Sequence, residues 1–79
     1  MKNNTKNQLN QIISKILDID IKKIELNNYT KDFKNWDSLN TLRIMTSIEK
    51  KFKIKIKFGE IMQIQKISDL INLIEKKIN

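Results

Sequence analysis

Apolar side chains recur every three or four residues in three segments of the chain, and this spacing predicts three amphipathic helices. The segments span about residues 4–17, 38–52 and 68–78. Their apolar positions are Leu9, Ile12, Ile13, Ile16 and Leu17, then Leu39, Leu42, Met45, Ile48 and Phe52, then Ile67, Leu70, Ile71, Ile74 and Ile78. Residues three and four apart share one helix face, so each stripe predicts a buried face. Ile44 falls at the edge of the second stripe.

Residues 18–36, between the first two helices, have no sustained period and predict a long loop. The loop contains the turn signal Asn27-Asn28 and predicts one short turn near residues 21–24. A connection this long is uncommon in a compact domain and often functional. We expect its Ile residues, Phe33 and Trp36 to hold it against the core.

The segment "KFKIKIKF" (51–58) alternates Lys with apolar residues, as a half-buried strand does. No other segment offers a partner strand, and a lone strand cannot satisfy its backbone. We therefore expect an extended connection that inserts Ile54 and Ile56 into the core. A short helix is predicted over residues 59–65.

These elements predict an all-α fold, a small four-helix bundle with three main helices, one short helix and a long first loop. The chain of 79 residues predicts a single domain over residues 1–79. Ser68 is the predicted N-cap of the last helix, and Asp69 lies in its first turn, where the helix dipole favours an acid.

The absence of Cys and His from the sequence excludes several kinds of chemistry. Disulfides, Cys-ligated metals and a Ser–His–Asp triad are ruled out, and the usual zinc ligands are missing. We therefore predict neither a metal site nor an enzyme. No apolar run reaches the roughly 20 residues of a membrane span, and "MKNNTKNQLN" lacks the apolar segment of a signal peptide. The expected location is cytoplasmic, with no membrane partner.

The net charge of +7 allows an anionic partner, and the excess is concentrated in residues 49–58, which hold five Lys and one Glu. A small basic nucleic-acid-binding module is therefore one alternative. Base recognition favours exposed Arg or aromatic side chains interleaved with Lys. The second helix offers one Arg, and Phe52 and Phe58 are expected in the core, so we predict no nucleic-acid partner. Lys, Asn and Ile all have AT-rich codons, so a low-GC genome would also produce this charge.

The stretch "KNWDSLNTLRIM" (34–45) places Asp37 and Ser38 directly at the start of the second helix. Either side chain can be the N-cap, because short oxygen-bearing side chains accept hydrogen bonds from first-turn amides. Ser38 has no neighbouring base in the sequence, so it is not predicted to be a self-activated nucleophile. Capping and carriage of an attached group remain alternatives for Ser38.

The motif "WDSL" (36–39) resembles the Asp-Ser-Leu motif of the acyl carrier and peptidyl carrier protein family. The similarity extends through "DSLNTLRIMTSIEKKFKIKI" (37–56) to the ending "ISDLINLIEKKI" (67–78), so it covers almost the whole chain. Three residues alone are a weak signal, but their position among the predicted helices is specific. The resemblance implies a four-helix bundle with a long first loop.

The resemblance also implies that Ser38 is esterified with 4′-phosphopantetheine, taken from coenzyme A by a phosphopantetheinyl transferase. The thiol of this arm would hold acyl or aminoacyl groups as thioesters, loaded by an adenylating ligase, an acyltransferase or a synthase. Asp37 would face the transferase or its metal ion, a role compatible with N-capping. Leu39 would lie partly buried beneath the arm, or simply in the core. A phosphodiester at a helix start is favoured by the exposed amides and the helix dipole.

Two features depart from the fatty-acid members of the family. Trp36 occupies a place that is usually small there and resembles carriers of amino-acid or polysaccharide-modification pathways; alternatively, it anchors the loop. Many acyl carriers present acidic residues on the second helix, where this chain has the candidate partner-binding residues Asn40, Arg43, Ser47, Lys50 and Lys51. These residues either face neutral or acidic partners or form a solvated face that reflects codon usage.

We therefore expect a monomeric carrier in a specialised biosynthetic pathway. A structural or regulatory bundle that is never modified is the remaining alternative.

Overall fold

The computed structural model describes residues 2–78, with side chains from Thr5 onward. Over this range the chain forms four α-helices, namely α1 (Lys2–Leu17), α2 (Ser38–Phe52), α3 (Phe58–Met62) and α4 (Ile67–Ile78). Two 3₁₀ turns, Ile21–Lys23 and Thr30–Asp32, lie in the long first loop. The predicted all-α bundle with three main helices and one short helix is confirmed.

The predicted bounds of α2 agree with the structure, whereas α1 begins at Lys2, before the predicted start near residue 4, and α3 and α4 also differ. The short helix was expected over residues 59–65 but ends at Met62. Ser68 is not the N-cap of α4, because the helix already begins at Ile67. The Asp69 carboxylate caps this end instead, since Oδ2 accepts hydrogen bonds from the amides of Gln65 and Lys66, each at 3.0 Å.

The Lys-rich segment after α2 is an extended connection, as predicted. Helix α2 ends at Phe52, and its C-cap Lys53 has a φ of 58° and a ψ of 48°, in the left-handed region. The carboxylate of Glu49 then accepts a hydrogen bond from the Ile56 amide at 2.8 Å. Ile54 and Ile56 pack against the core. A side chain of α2 therefore satisfies a backbone group that would otherwise need a partner strand.

The core is built from one apolar face of each long helix and one loop residue, with α1 packed against both α2 and α4. Its buried members are Leu9, Ile13, Leu17, Ile24, Ile44, Met45, Ile48, Ile67, Leu70, Ile71 and Ile74. Burying a side chain of this kind contributes about 1.5–3 kcal/mol. These contacts fix the orientation of α2 about its own axis.

The predicted apolar stripe of α2 is wrong in part. Ile44, placed at its edge, is fully buried, whereas Leu39 and Leu42 are 64% and 59% exposed. Ile78, the last position of the α4 stripe, is also exposed, at 47%. The bundle covers the face of α2 centred on Ile44, Met45 and Ile48, so the first turns of this helix present leucines to solvent.

The long first loop is held to the core and to the segment that leads into α4. Ile24 is buried, as expected for an Ile residue of this loop. Tyr29 and Lys66 form an isolated antiparallel bridge, beside a 2.8 Å hydrogen bond from the Thr30 amide to the Gln65 carbonyl oxygen. The predicted short turn near residues 21–24 is present, while the second 3₁₀ turn was not predicted.

Within residues 2–78 no helix combines the length and the apolar composition that crossing a bilayer requires.

Candidate functional site

Asp37 is the N-cap of α2. Its backbone is extended, with φ −110° and ψ −175°. Its Oδ1 atom accepts a 2.8 Å hydrogen bond from the Asn40 amide, which otherwise has no intrahelical partner. The Thr41 hydroxyl donates to the Asp37 carbonyl oxygen at 2.7 Å. Of the two candidates that the sequence left open, the cap is therefore Asp37 and not Ser38.

Ser38 is the first residue of α2, and its side chain is exposed. Its hydroxyl takes part in none of the hydrogen bonds among the described side chains. The first-turn amides and the positive end of the helix dipole lie beside it, which favours a negatively charged substituent at this position. The hydroxyl is thus accessible, and an anionic ester attached to it would be favourably placed.

Asn35 holds the loop against both α1 and α2. Its carbonyl oxygen accepts hydrogen bonds from the Asn40 side-chain amide at 2.8 Å and from the Asp37 amide at 3.0 Å. Its own side-chain amide donates to the Leu17 carbonyl oxygen at 3.4 Å. These bonds fix the approach to Ser38. Sequence reasoning missed Asn35, because an Asn in a loop carries no signal of a distant partner.

Beside Ser38, helices α2 and α3 flank a groove of about 500 Å³ that is open to solvent, here called the Ser38 groove. It is lined by Trp36, Asp37, Ser38, Thr41, Leu42, Phe58, Ile61 and Met62. Most of these side chains are apolar, and Phe58 and Met62 are 74% and 65% exposed. The groove therefore provides an apolar surface that starts at the Ser38 hydroxyl and is open to solvent.

The prediction that Phe58 belongs to the core is wrong, whereas Phe52 does pack against it. In the alternating segment, Phe58 falls on the same side as Ile54 and Ile56, so the alternation predicted that its side chain enters the core. Helix α3 begins at Phe58, so the strand-like alternation no longer applies there. Ile61 and Met62 were also missed as groove residues, because the sequence did not show which side of α3 would face Ser38.

Two polar contacts made by Glu60 hold α3, the outer wall of the Ser38 groove. Its Oε1 atom accepts a 2.8 Å hydrogen bond from the Lys57 amide at the start of α3. The same atom lies 3.0 Å from Nζ of Lys77 on α4. The bond from the Lys57 amide, and then the contact with Lys77, lower the pKa of the Glu60 carboxyl.

Trp36 serves both the loop and the groove. It packs against the core, and its ring centroid lies 5.9 Å from that of Phe33. The predicted anchoring of the loop by Trp36 is confirmed, and the same residue also lines the Ser38 groove. Leu39, at 64% exposure, is not a core residue, so that alternative for Leu39 is wrong.

The remaining candidate partner-binding residues lie further along α2. Arg43, Lys50 and Lys51 are exposed, and Ser47 is half-buried. Asn40 differs, since its side-chain amide is engaged by the loop. The structure thus places Arg43, Ser47, Lys50 and Lys51 together along α2 and gives Asn40 a structural contact.

The fold and the site define a class of protein: a small helical bundle with an exposed serine at the start of a helix, beside an apolar groove. The family model described as a phosphopantetheine attachment site (PP-binding) matches residues 7–74. An acyl carrier protein of Buchnera aphidicola subsp. Schizaphis graminum is 36% identical over 78 residues, covering 95% of this chain and 99% of the relative.

Solved structures agree with this match. The solution structure of a holo acyl carrier protein from Geobacter metallireducens has a TM-score of 0.84 and 30% identity, covering 94% of this chain and 85% of the other. The crystal structure of an acyl carrier protein from Thermotoga maritima has a TM-score of 0.83 and 25% identity, covering 98% and 89%.

The chain therefore belongs to the family of phosphopantetheine-attachment domains, and it is an acyl-carrier-like protein. Proteins of this kind are carriers and not enzymes, and their prosthetic group is phosphopantetheine. The predicted family and cofactor are confirmed. The family match does not favour a nucleic-acid-binding module, and the exposure of Phe58 is accounted for by the Ser38 groove.

Proposed function

We propose that Ser38 carries a 4′-phosphopantetheine arm, and that this protein presents acyl or aminoacyl groups on it to a series of enzymes. One observation carries the proposal: the exposed Ser38 hydroxyl stands free at the start of α2, at the edge of an apolar groove. The family match supports the same cofactor. The arm would supply a thiol that holds its cargo as a thioester, chemistry that a chain without Cys cannot supply by itself.

The residues around Ser38 fit the attachment reaction. The Ser38 oxygen would form a new ester bond to phosphorus, while the pyrophosphate bond of coenzyme A breaks and adenosine 3′,5′-bisphosphate leaves. The hydroxyl proton would pass to a base of the phosphopantetheinyl transferase. Asp37 Oδ1 is already engaged with the Asn40 amide, so this chain contributes placement and access more than activation. A role for Asp37 toward the transferase or its metal ion remains a prediction.

The apolar lining of the Ser38 groove supports a second part of the proposal. Leu42, Phe58 and Met62 are too exposed to contribute much to the core. Exposed apolar patches commonly mark binding surfaces. We propose that they receive the apolar portions of the arm or of a partner. Leu39 is exposed but does not line this groove, so its contact with the arm stays a prediction.

The test is intact-mass spectrometry after incubation of the full chain with coenzyme A, Mg²⁺ and a broad-specificity phosphopantetheinyl transferase. We expect a gain of one phosphopantetheine, lost in Ser38→Ala and retained in the matched control Ser68→Ala, which removes a serine from the first turn of α4. No gain with several transferases would favour the unmodified structural bundle. A gain that survives in Ser38→Ala would assign the arm to another residue.

We further propose that the pathway is a specialised one, served by a dedicated adenylating ligase, acyltransferase or synthase. Trp36 beside the motif and the basic residues of α2 support this. If so, expression of this chain should not rescue a bacterium depleted of its fatty-acid carrier, and rescue would identify a housekeeping role. A single domain over residues 1–79, a monomer and a cytoplasmic location remain parts of the proposal.

A further inference from the structure

A second surface depression runs along the boundary between α1 and α2. Two adjoining hollows, each of about 360 Å³, share Ile16 and Ser47. Together they are lined by Ile12, Lys15, Ile16, Leu42, Arg43, Thr46, Ser47, Lys50 and Lys51. We call this continuous surface the α1–α2 groove.

The rim of the α1–α2 groove is cationic. Lys15, Arg43, Lys50 and Lys51 are all exposed, and none of the described residues that line this groove carries a carboxylate. Glu49 lies beside Lys50 in the sequence, but its carboxylate binds the Ile56 amide in the extended connection. The acid of α2 that could offset these charges is thereby directed toward the connection.

The α1–α2 groove is continuous with the site at Ser38. Leu42 lines both the α1–α2 groove and the Ser38 groove. Ser38 and Lys50 are twelve positions apart, which is about 18 Å along a helix at about 1.5 Å per residue. A standard interface buries about 800 Å² on each partner, so an enzyme seated over Ser38 would reach the cations.

The helix dipole does not account for all of the cations on the rim of the α1–α2 groove. Lys15, Lys50 and Lys51 lie in the last turns of their helices, where a cation is favoured. Arg43 lies in the middle of α2, outside the reach of this effect. The half-buried Ile12 and Ile16 also give the groove an apolar floor. An apolar centre with a charged rim is typical of a protein interface.

We propose that the α1–α2 groove docks the enzymes that act on the arm, and that their docking face is acidic. Carboxylates of the enzyme would lie over Arg43, Lys50 and Lys51, with apolar side chains against the floor. Complementary charge would speed association, whereas a basic enzyme face would be repelled. This inference rests on the proposed attachment at Ser38.

The experiment crosses two carriers with two enzymes. The carriers are the holo full chain and its Arg43→Glu/Lys50→Glu/Lys51→Glu variant, each first confirmed by mass to carry the arm. The enzymes are a malonyl-CoA acyltransferase whose carrier-docking face is basic and a variant of it with those basic residues replaced by Glu. The measured quantity is kcat/KM for transfer of malonyl to the arm's thiol, with coenzyme A leaving.

We expect the wild-type chain to prefer the acidic-faced enzyme and the triple variant to prefer the basic-faced one, each on the order of tenfold. Raising the salt concentration should reduce both preferences. A matched variant with the same charge change elsewhere, Lys22→Glu/Lys23→Glu/Lys76→Glu, should behave as wild type. Neutral Gln substitutions at Arg43, Lys50 and Lys51 should give an intermediate result.

Several outcomes would overturn the inference. Equal kcat/KM for both enzymes, or the same effect from the matched variant, would show that the groove is not the docking surface. Binding of a DNA duplex or an anionic vesicle that the triple variant loses, without any change in the enzyme assay, would assign the groove to a polyanion. Failure of the wild-type chain to gain the arm appears earlier, in the mass spectrum, and would contradict the proposed attachment and not the docking surface.

Discussion

The Asp37 carboxylate accepts a 2.8 Å hydrogen bond from the Asn40 amide. Because Asp37 caps the helix, the neighbouring Ser38 hydroxyl is not needed as a cap. Both residues were possible N-caps from sequence. An Ncap side chain needs an extended backbone so that it can reach forward to the second or third helical amide, and Asp37 has this conformation. Ser38 already has helical geometry, so its hydroxyl extends from the helix and is available for modification.

Replacing Asp37 by Ala should lower the free energy of unfolding by about 1 kcal/mol, because the Asn40 amide loses its acceptor. Asp37→Asn should be nearly neutral, since its side-chain oxygen can still accept that bond. Urea unfolding of the two variants beside wild type measures the difference. Equal losses in both variants would show that the charge, and not the cap, stabilises this helix end.

The same pair separates capping from any role of Asp37 in the attachment reaction. If the carboxylate meets the transferase or its metal ion, kcat/KM for modification should fall at least tenfold in Asp37→Asn, at unchanged stability. The rate is followed by intact mass over time. An unchanged rate in Asp37→Asn would restrict Asp37 to capping.

Ile44→Ala and Leu42→Ala, two positions apart on α2, should differ sharply in stability. Ile44 is fully buried, so its truncation should cost about 3 kcal/mol through lost burial and a residual cavity. Leu42 is 59% exposed, and its truncation should cost less than about 0.5 kcal/mol. Thermal or urea unfolding measures both, and a larger loss at Leu42 would contradict the orientation of α2 described above.

Phe52→Ala and Phe58→Ala should differ in stability, because Phe52 is a packing residue and Phe58 is a candidate binding residue. Phe52 packs against the core, so its loss should cost about 2 kcal/mol or more. Phe58 is 74% exposed, and its loss should change stability by less than about 0.5 kcal/mol.

The function of Phe58 can be followed through Trp36, the single Trp of the chain, which also lines the Ser38 groove. If the arm lies in this groove, attachment should shift Trp36 emission in wild type and less so in Phe58→Ala. The same shift in both proteins would show that the arm lies elsewhere.

Stability should fall in acid through Glu60 and Asp69. Amide hydrogen bonds to each carboxylate lower its pKa in the folded protein below the ordinary values of 4.5 for Glu60 and 3.8 for Asp69. A lowered folded pKa means that the stabilisation is complete above these ordinary values and is lost as the pH falls through the lower folded ones.

Asp69→Asn should therefore be less stable than wild type near neutral pH and should lose less stability on acidification. Urea unfolding at about pH 7 and about pH 3 measures this difference. Glu75→Gln, which removes a carboxylate of α4 that makes no hydrogen bond among the described side chains, serves as a control for net charge. An Asp69→Asn protein with the same acid sensitivity as wild type would assign the effect to other carboxyl groups.

Much of the helical framework could be predicted because helical spacing is a local property. The bounds of α2 and the extended path of Ile54 and Ile56 followed from periodicity and from the lack of a partner strand. The family and its cofactor followed from the position of "WDSL" within this framework. Helix ends were less predictable, since Ser68 and Asp69 were both plausible caps and only the path of the backbone distinguishes them.

The sequence alone determined where the long helices lie, that the chain provides no thiol or imidazole, and which serine is the candidate for attachment. The tertiary structure decided which apolar residues leave the core. Leu42 and Phe58 are as hydrophobic as their buried neighbours, but the packing of α1 against α2 and the start of α3 at residue 58 direct them toward Ser38. Periodicity identifies an apolar stripe, whereas the neighbouring helices determine how much of that stripe is covered.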